Sequence, residues 1–91
     1  MEVTGYIKLN LIKAGYKGEF NSDGITNEIP ATIRNVKGKY YFSIDRLDNG
    51  YYCAGYWDNI KEKHLYTNMA KTLFEAFSKT WLELKEDGFI K

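Results

Sequence analysis

The chain has 91 residues, a length that fits one domain with one modest hydrophobic core. Its thirteen basic and twelve acidic residues nearly cancel, which argues against the basic face of a nucleic-acid binder and the strong acidity of a DNA mimic. Cys53 is the only cysteine, which excludes an intramolecular disulfide and suits a reducing cytoplasm. The first residues lack the basic region and apolar run of a secretion signal, and no apolar run approaches the ~20 residues of a membrane span. We therefore expect a single cytoplasmic domain over residues 1–91 that makes no membrane contact.

Apolar and polar residues alternate at the start of the chain, which predicts one long half-buried strand over residues 3–11. Its inward residues would be Val3, Gly5, Ile7, Leu9 and Leu11. Two interpretations of the segment 16–20 stay open, a short return strand or a bulged continuation of the first strand. The segment 21–27 has the Asx and glycine residues of turns, which predicts a surface loop. It offers one carboxylate and does not match a calcium-binding loop.

Two hairpins are predicted next. A strand over 29–34 should begin at an edge, because Pro30 cannot donate a ladder hydrogen bond, and a turn at Lys37-Gly38 leads into a strand over 39–44. The inward residues of this second strand are predicted to be Tyr40, Phe42 and Ile44. Asp48-Asn49-Gly50 is the second hairpin signal, followed by a strand over 51–57. Both faces of that last strand carry aromatic residues, so periodicity does not decide which face is buried.

The C-terminal part predicts an amphipathic helix from residue 68 to Gly88, capped by Thr67 or Asn68. Phe77 and Trp81 lie on its apolar side and should form the second layer of the core. The segment 60–66 stays open between a short strand and an early helical turn. The predicted fold class is α+β, with an antiparallel sheet of four to five strands in two hairpins packed by one C-terminal helix.

No residue pattern indicates catalysis. His64 could act as a base towards Cys53, but nothing in the sequence places them together. The carboxylates of Asp45, Asp48 and Asp58 fit turn positions better than a shared acid–base site. One cysteine and one histidine exclude a structural zinc site within one chain, and neither a dinucleotide fingerprint nor a P-loop occurs. We expect a protein that is not an enzyme, with no catalytic residue, no metal and no cofactor.

Seven aromatic residues fall between positions 40 and 57, and this cluster predicts a recognition face. Successive strand residues point to opposite faces, so some of these rings must point outward. Tyrosine and arginine are typical of protein contact surfaces. The predicted partner-binding residues are Tyr41, Arg46, Asp48, Asn49, Tyr52 and Tyr56. Three alternatives stay open: most of the rings pack under the helix or cover the sheet edge, they stack single-stranded bases, or they bind a small ligand. Trp57 is assigned to the core.

Three segments resemble small phage-encoded anti-CRISPR proteins, which inhibit CRISPR effector nucleases. They are Tyr6-Ile7-Lys8-Leu9 in an early strand, the hairpin from Thr32 through Gly38 to Ile44, and Glu75 to Trp81 in the helix. Together they cover about a third of the chain, and the chain departs from acidic inhibitors of that kind in being nearly neutral.

The resemblance implies a protein of a phage or mobile element that binds and inhibits a host defence enzyme, such as a CRISPR effector nuclease, in the host cell cytoplasm. The expected partner is therefore a host protein. Nucleic-acid binding and a homodimer stay open as alternatives, with the aromatic sheet face as the surface for a single-stranded nucleic acid or a small ligand.

Overall fold

The protein is α+β, with a three-stranded antiparallel sheet and a C-terminal helix packed on it. A computed structural model describes residues 3–29 and 40–90. The elements are α1 (Val3–Lys13), α2 (Ser22–Asn27), β1 (Tyr40–Arg46), β2 (Tyr52–Asp58), β3 (Lys63–Ala70) and α3 (Leu73–Glu86). Four to five strands are not found among these residues. No helix in the described ranges is long and apolar enough to cross a membrane.

The largest error of the sequence prediction lies at the N-terminus, where the predicted strand over 3–11 is the helix α1. Ile7 and Leu11 are four residues apart, and both are buried in the core. Leu9 would have been inward in a strand, but on the helix it is exposed. Period-two and helical spacing overlap in this short segment, and tertiary packing on α3 decides between them.

The predicted loop over 21–27 is also wrong, because Ser22–Asn27 forms the short helix α2. Asn21 caps it by accepting a hydrogen bond from the Gly24 amide at 2.7 Å. Asx residues favour turns and helix N-caps for the same reason, a side-chain oxygen that accepts from nearby amides. Residues 16–20 contain no strand. The predicted strand over 29–34 and the turn at Lys37-Gly38 lie, from Pro30 onward, outside the described residues.

The second predicted hairpin is confirmed. Strands β1 and β2 pair antiparallel in a register that aligns Tyr41 with Trp57 and Arg46 with Tyr52. Gly50 supplies the positive φ of the tip, at 86°, and its amide donates to the Leu47 carbonyl at 3.0 Å. This is a three-residue loop with glycine in the left-handed position.

In the open segment 60–66, residues 60–62 form a turn and residues 63–66 begin strand β3, which pairs antiparallel with β2. The pairing shifts by one residue around Gly55, opposite Tyr66, whose φ is 57°. An ideal Cβ on Gly55 would lie 2.5 Å from the Tyr66 carbonyl oxygen, so only glycine lets the two strands approach this closely. Gly55 is therefore a packing requirement of the bulge.

Helix α3 begins at Leu73, five residues later than predicted, because β3 continues through Ala70. Thr72, rather than Thr67 or Asn68, is its N-cap and accepts from the Glu75 amide at 3.2 Å. Its predicted end is confirmed: Gly88 has a φ of 88° directly after the C-cap. The predicted core role of Phe77 and Trp81 is also confirmed, since both are buried.

Helix α3 is the centre of the core. It contacts β2 and β3 on one side, and α1 and α2 pack on α3. The Phe77 ring lies 5.7 Å from the Phe42 ring of the sheet, and the Trp81 ring lies 5.4 Å from Tyr16, which follows α1. One helix thus joins the sheet to the N-terminal helices.

Candidate protein-binding surface

The two faces of the sheet differ in what covers them. On the inner face, Phe42 and Tyr56 lie 5.6 Å apart by ring centroids, and Phe42 also packs on α3. The alternate residues of the strands point the other way, and none of the described helices packs on them. We call this face the outer sheet surface, defined by Tyr41, Asp45, Trp57, His64 and Met69.

Three ring side chains form a row across the outer sheet surface. Tyr41 is the register partner of Trp57, and Trp57 is the register partner of His64. The Trp57 and His64 rings meet edge to face, with centroids 5.0 Å apart. The row crosses all three strands, a span of about 10 Å at the usual strand spacing. Tyr41 is 47% exposed, His64 is exposed and Trp57 is half-buried, so a partner could reach all three.

The other end of the outer sheet surface is different in chemistry. Asp45, Cys53 and Met69 occupy one row there, and Met69 is 53% exposed. Burial and, to a smaller extent, the charge of Asp45 raise the pKa of the Cys53 thiol, which disfavours a reactive thiolate. Trp57, the partner of His64, is four residues from Cys53 along β2, or about 13 Å. His64 therefore does not activate Cys53.

The outer sheet surface carries little charge. Asp45 is its acidic residue, and the strand residues that define it include no lysine or arginine. Lys61 and Glu62 lie in the adjoining turn between β2 and β3. A surface that holds phosphates needs several basic groups. This charge balance favours a protein contact over a nucleic-acid contact.

The structure separates the six residues predicted to bind a partner. Tyr41 points outward as predicted, but Tyr56 is 0% exposed, so its ring belongs to the core and not to a contact surface in this conformation. Burial raises the pKa of Tyr56 to about 12. Tyr52 is half-buried on the inner face, with the Arg46 guanidinium 5.8 Å from its ring centroid. Asp48 and Asn49 are exposed at the hairpin tip, where the Asn49 side chain accepts from the Tyr51 amide at 3.0 Å.

Two residues of the row were missed by the sequence prediction. Trp57 was assigned to the core, although counting outward from the hairpin loop 48–50 pairs it with the outward residue Tyr41. The alignment of His64 has no such signal, because it depends on the bulge at Gly55. The prediction that Ile44 points into the core is only partly right, since its side chain is 46% exposed.

The structure does not bring Asp45, Asp48 and Asp58 together in one site. Asp58 acts in a turn, where its carboxylate accepts from the Ile60 and Lys61 amides at 2.9 and 3.0 Å. The hydrogen bond from Lys61 is the main cause of the lowered pKa of Asp58. Asp45 and Asp48 lie at the opposite end of the β1–β2 hairpin. In the ranges 3–29 and 40–90, no group of three or more potential metal ligands occurs.

The comparisons give no family for this chain. No family model, curated protein or solved structure matches it. Of the three segments on which the expected anti-CRISPR resemblance was based, Glu75 to Trp81 is helical as expected, and Tyr40 to Ile44 is a strand. Tyr6 to Leu9 lies in a helix instead of a strand, and 32–38 are outside the described residues.

Proposed function

We propose that this chain is a small protein-binding module that contacts its partner through the outer sheet surface. The single observation that supports this function most is the row of Tyr41, Trp57 and His64 on a sheet face that no described helix covers. Tyrosine and tryptophan supply large contact area at low cost in side-chain entropy, and they are enriched among the residues that dominate binding energies. The protein acts by binding and not by catalysis.

The proposed partner is a host protein, and the proposed effect is inhibition. The resemblance of segments to anti-CRISPR proteins supports a host defence enzyme, such as a CRISPR effector nuclease, as the target in the host cytoplasm. Near neutrality of the chain supports direct occlusion of a protein surface over imitation of DNA. The predicted contact residues Asp48 and Asn49 would lie at the rim, where the hairpin tip borders the row of Asp45 and Met69, while Arg46 packs near the Tyr52 ring on the inner face.

A single-stranded nucleic acid is the second candidate ligand. The ring row favours it, because bases stack on aromatic side chains without sequence preference. The two candidates differ in salt dependence: phosphate contacts release counterions, so the logarithm of the affinity falls steeply and linearly with the logarithm of salt concentration. A protein contact through neutral rings depends on salt only moderately.

The double variant Tyr41→Ala/His64→Ala tests the proposal, with Lys71→Ala as the control. Lys71 is exposed between β3 and α3 and belongs neither to the outer sheet surface nor to α1. Immobilised wild type, the double variant and the control are exposed to host lysate with and without nuclease treatment. We expect a captured protein that survives nuclease treatment, is lost with the double variant and is kept with the control.

Two further measurements define the partner class. Purified wild type is added to reconstituted CRISPR effector nucleases and DNA cleavage is measured, where the proposal expects inhibition that the double variant does not show. Fluorescence anisotropy with a single-stranded oligonucleotide is recorded at several salt concentrations. Tight oligonucleotide binding with a steep salt slope contradicts the protein-binding proposal. Loss of capture with Tyr6→Ala, a change at an exposed tyrosine of α1, together with full capture by the double variant, would place the interface on α1 instead.

A further inference from the structure

Helix α1 carries apolar side chains on two opposite sides. Ile7 and Leu11 are buried against the core. Tyr6, Leu9 and Ile12 are 65%, 50% and 57% exposed. At 3.6 residues per turn, the centre of this exposed set lies about 180° around the helix from the buried pair. We call Tyr6, Leu9 and Ile12 the α1 stripe.

The α1 stripe is a continuous surface and not a set of isolated residues. Its members follow each other at intervals of three residues, so they extend about 9 Å along the helix axis. Phe20 is also partly exposed, and the Lys8 ammonium lies 5.8 Å from its ring centroid. Single exposed apolar residues are normal on protein surfaces, but contiguous exposed apolar patches mark interaction sites.

Positive charge borders the α1 stripe. Helix α1 contains two of the thirteen basic residues and none of the twelve acidic residues, and the nearest acidic residues in the sequence are Glu2 and Glu19. Lys8 and Lys13 are exposed and lie on the two sides of the stripe by helical position. Where α1 meets α3, Lys13 shares a groove with Lys85 and Glu86, and Glu86 is the acidic residue of that groove. The borders of the stripe are therefore basic, while the whole chain is almost neutral.

We propose that the α1 stripe docks an acidic amphipathic helix of a partner protein. The partner helix would place its apolar side on Tyr6, Leu9 and Ile12 and its carboxylates beside Lys8 and Lys13. Tyr6 serves as the aromatic anchor, and the lysines set the orientation and the charge preference. This surface is separate from the outer sheet surface. Helix α1 packs on α3, whereas the outer sheet surface is the face of the sheet that α3 does not cover.

Charge and size select this occupant over two others. A second copy of the chain would bring Lys8 and Lys13 of both molecules together, and α1 has no carboxylate to neutralise them. A lipid surface requires a larger apolar face, because the strength of membrane adsorption scales with the apolar area that is buried. Here α1 has 11 residues, and one side of it is already buried in the protein.

A selection experiment tests the charge preference without assuming a particular partner. The full chain is used to select from a displayed library of amphipathic helices in which the apolar positions vary among Leu, Ile, Met and Phe. The flanking positions vary among Glu, Gln and Lys. We expect wild type to enrich Glu at the flanks, and Lys8→Glu/Lys13→Glu to enrich Lys instead.

The chain offers a closely matched control pair for the selected peptides. Ile12 belongs to the α1 stripe and Lys13 borders it, whereas Ile60 and Lys61 lie in the turn between β2 and β3 with both side chains exposed. Ile12→Ala/Lys13→Glu should weaken peptide binding at least about tenfold, which corresponds to about 1.4 kcal/mol. Ile60→Ala/Lys61→Glu makes the same chemical change and should leave peptide affinity unchanged.

Several outcomes overturn the proposal. Selection without Glu enrichment would show that the stripe does not recognise an acidic helix. Equal peptide affinity for Ile12→Ala/Lys13→Glu and Ile60→Ala/Lys61→Glu would show the same. Sedimentation velocity of wild type alone tests the second copy: a dimer that Ile12→Ala/Lys13→Glu abolishes assigns the stripe to self-association. Co-sedimentation with phosphatidylcholine–phosphatidylserine vesicles, lost in the same variant, assigns it to a lipid surface. Failure of Tyr41→Ala/His64→Ala to affect host-protein capture bears only on the outer sheet surface.

Discussion

Helices α1 and α3 both supply core residues, but only α3 gathers its large apolar residues on one side. In α3, Phe77 and Trp81 are buried and Glu86 is exposed on the opposite side, although the polar residues Glu75, Ser78 and Thr80 are also buried. In α1, Leu11 is buried, while Leu9 is half exposed two positions earlier. Clear segregation makes a helix readable from sequence and leaves little apolar surface outside. Without it, the same sequence fits two secondary structures, and the helix keeps an apolar side available for binding.

The largest expected effect lies where α3 meets the sheet. Phe77→Ala should lower the free energy of unfolding by about 3 to 5 kcal/mol, because a buried phenylalanine is replaced by a cavity next to Phe42. Chemical denaturation of both proteins measures the difference. The exposed Phe20 provides the control, and Phe20→Ala should cost far less. A loss below about 1 kcal/mol for Phe77→Ala would contradict the packing of α3 on the sheet.

A matched pair of leucines tests the other side of the comparison. Leu11 is 0% exposed, and Leu9 is 50% exposed on the same helix. Leu11→Ala should cost about 2 to 5 kcal/mol, whereas Leu9→Ala should stay within about 0.5 kcal/mol of wild type. Chemical denaturation is again the measurement. Equal and large losses would favour the half-buried strand that the alternating sequence predicts, because a strand buries both leucines.

The sequence is sufficient for the β1–β2 hairpin and for the apolar side and the end of α3, because the signals there agree with each other. Gly50 at the hairpin tip, Gly88 after α3 and the apolar side with Phe77 each indicate the same local structure that tertiary packing requires. The N-terminal segment lacks that agreement. Residues 3–11 alternate as a strand does and also place Ile7 and Leu11 one helical turn apart, so only packing on α3 decides.

The candidate surface was only half accessible to sequence reasoning. The loop 48–50 determines that Tyr41 pairs with Trp57, so that part of the row could be derived by counting. His64 aligns with Trp57 only because the bulge at Tyr66 inserts one extra residue into β3. The bulge in turn requires Gly55, which has no side chain to clash with the Tyr66 carbonyl oxygen. Such a contact between distant residues has no local signature. Tyr56 shows the same limit, because both faces of β2 are aromatic and only α3 selects the buried one.

A smaller effect is expected at the connection between the bulge and the end of α3. The Tyr66 hydroxyl donates to the Asp87 carboxylate at 2.6 Å. Burial first, and then the hydrogen bond to Asp87, raise the pKa of Tyr66 to about 12. A raised pKa means that the folded state favours the neutral phenol, so this stabilisation is complete below pH ~10 and is lost as the pH rises towards 12.

Tyr66→Phe should therefore lower the free energy of unfolding by about 0.5 to 1.5 kcal/mol at neutral pH and flatten its decline between pH 10 and 12. Denaturation at several pH values measures both changes. Some decline should remain, because Tyr56 also has a pKa raised to about 12. Asp87→Asn provides a second test, since it removes the neighbouring charge and should lower the pKa of Tyr66 measured by phenolate absorbance. An unchanged phenolate titration in Asp87→Asn would contradict the link.

The smallest effect on stability is expected at Arg46, where the two ideas about the interface make different predictions for binding. Arg46 is exposed at the end of β1, with its guanidinium over the Tyr52 ring, so Arg46→Ala should change the free energy of unfolding by no more than about 0.5 kcal/mol. Calorimetry should place its Tm within a few degrees of wild type.

If the hairpin tip is part of the contact, Arg46→Ala and Asn49→Ala both weaken partner binding, since arginine at the edge of an aromatic surface can contribute strongly. If the row of Tyr41, Trp57 and His64 carries the contact alone, both tip variants keep wild-type affinity while Tyr41→Ala/His64→Ala loses it. A titration of all three variants against one partner therefore measures how far the interface extends from the ring row towards the hairpin tip. Full affinity in every variant would exclude both the hairpin tip and the ring row and leave α1 as the surface to test.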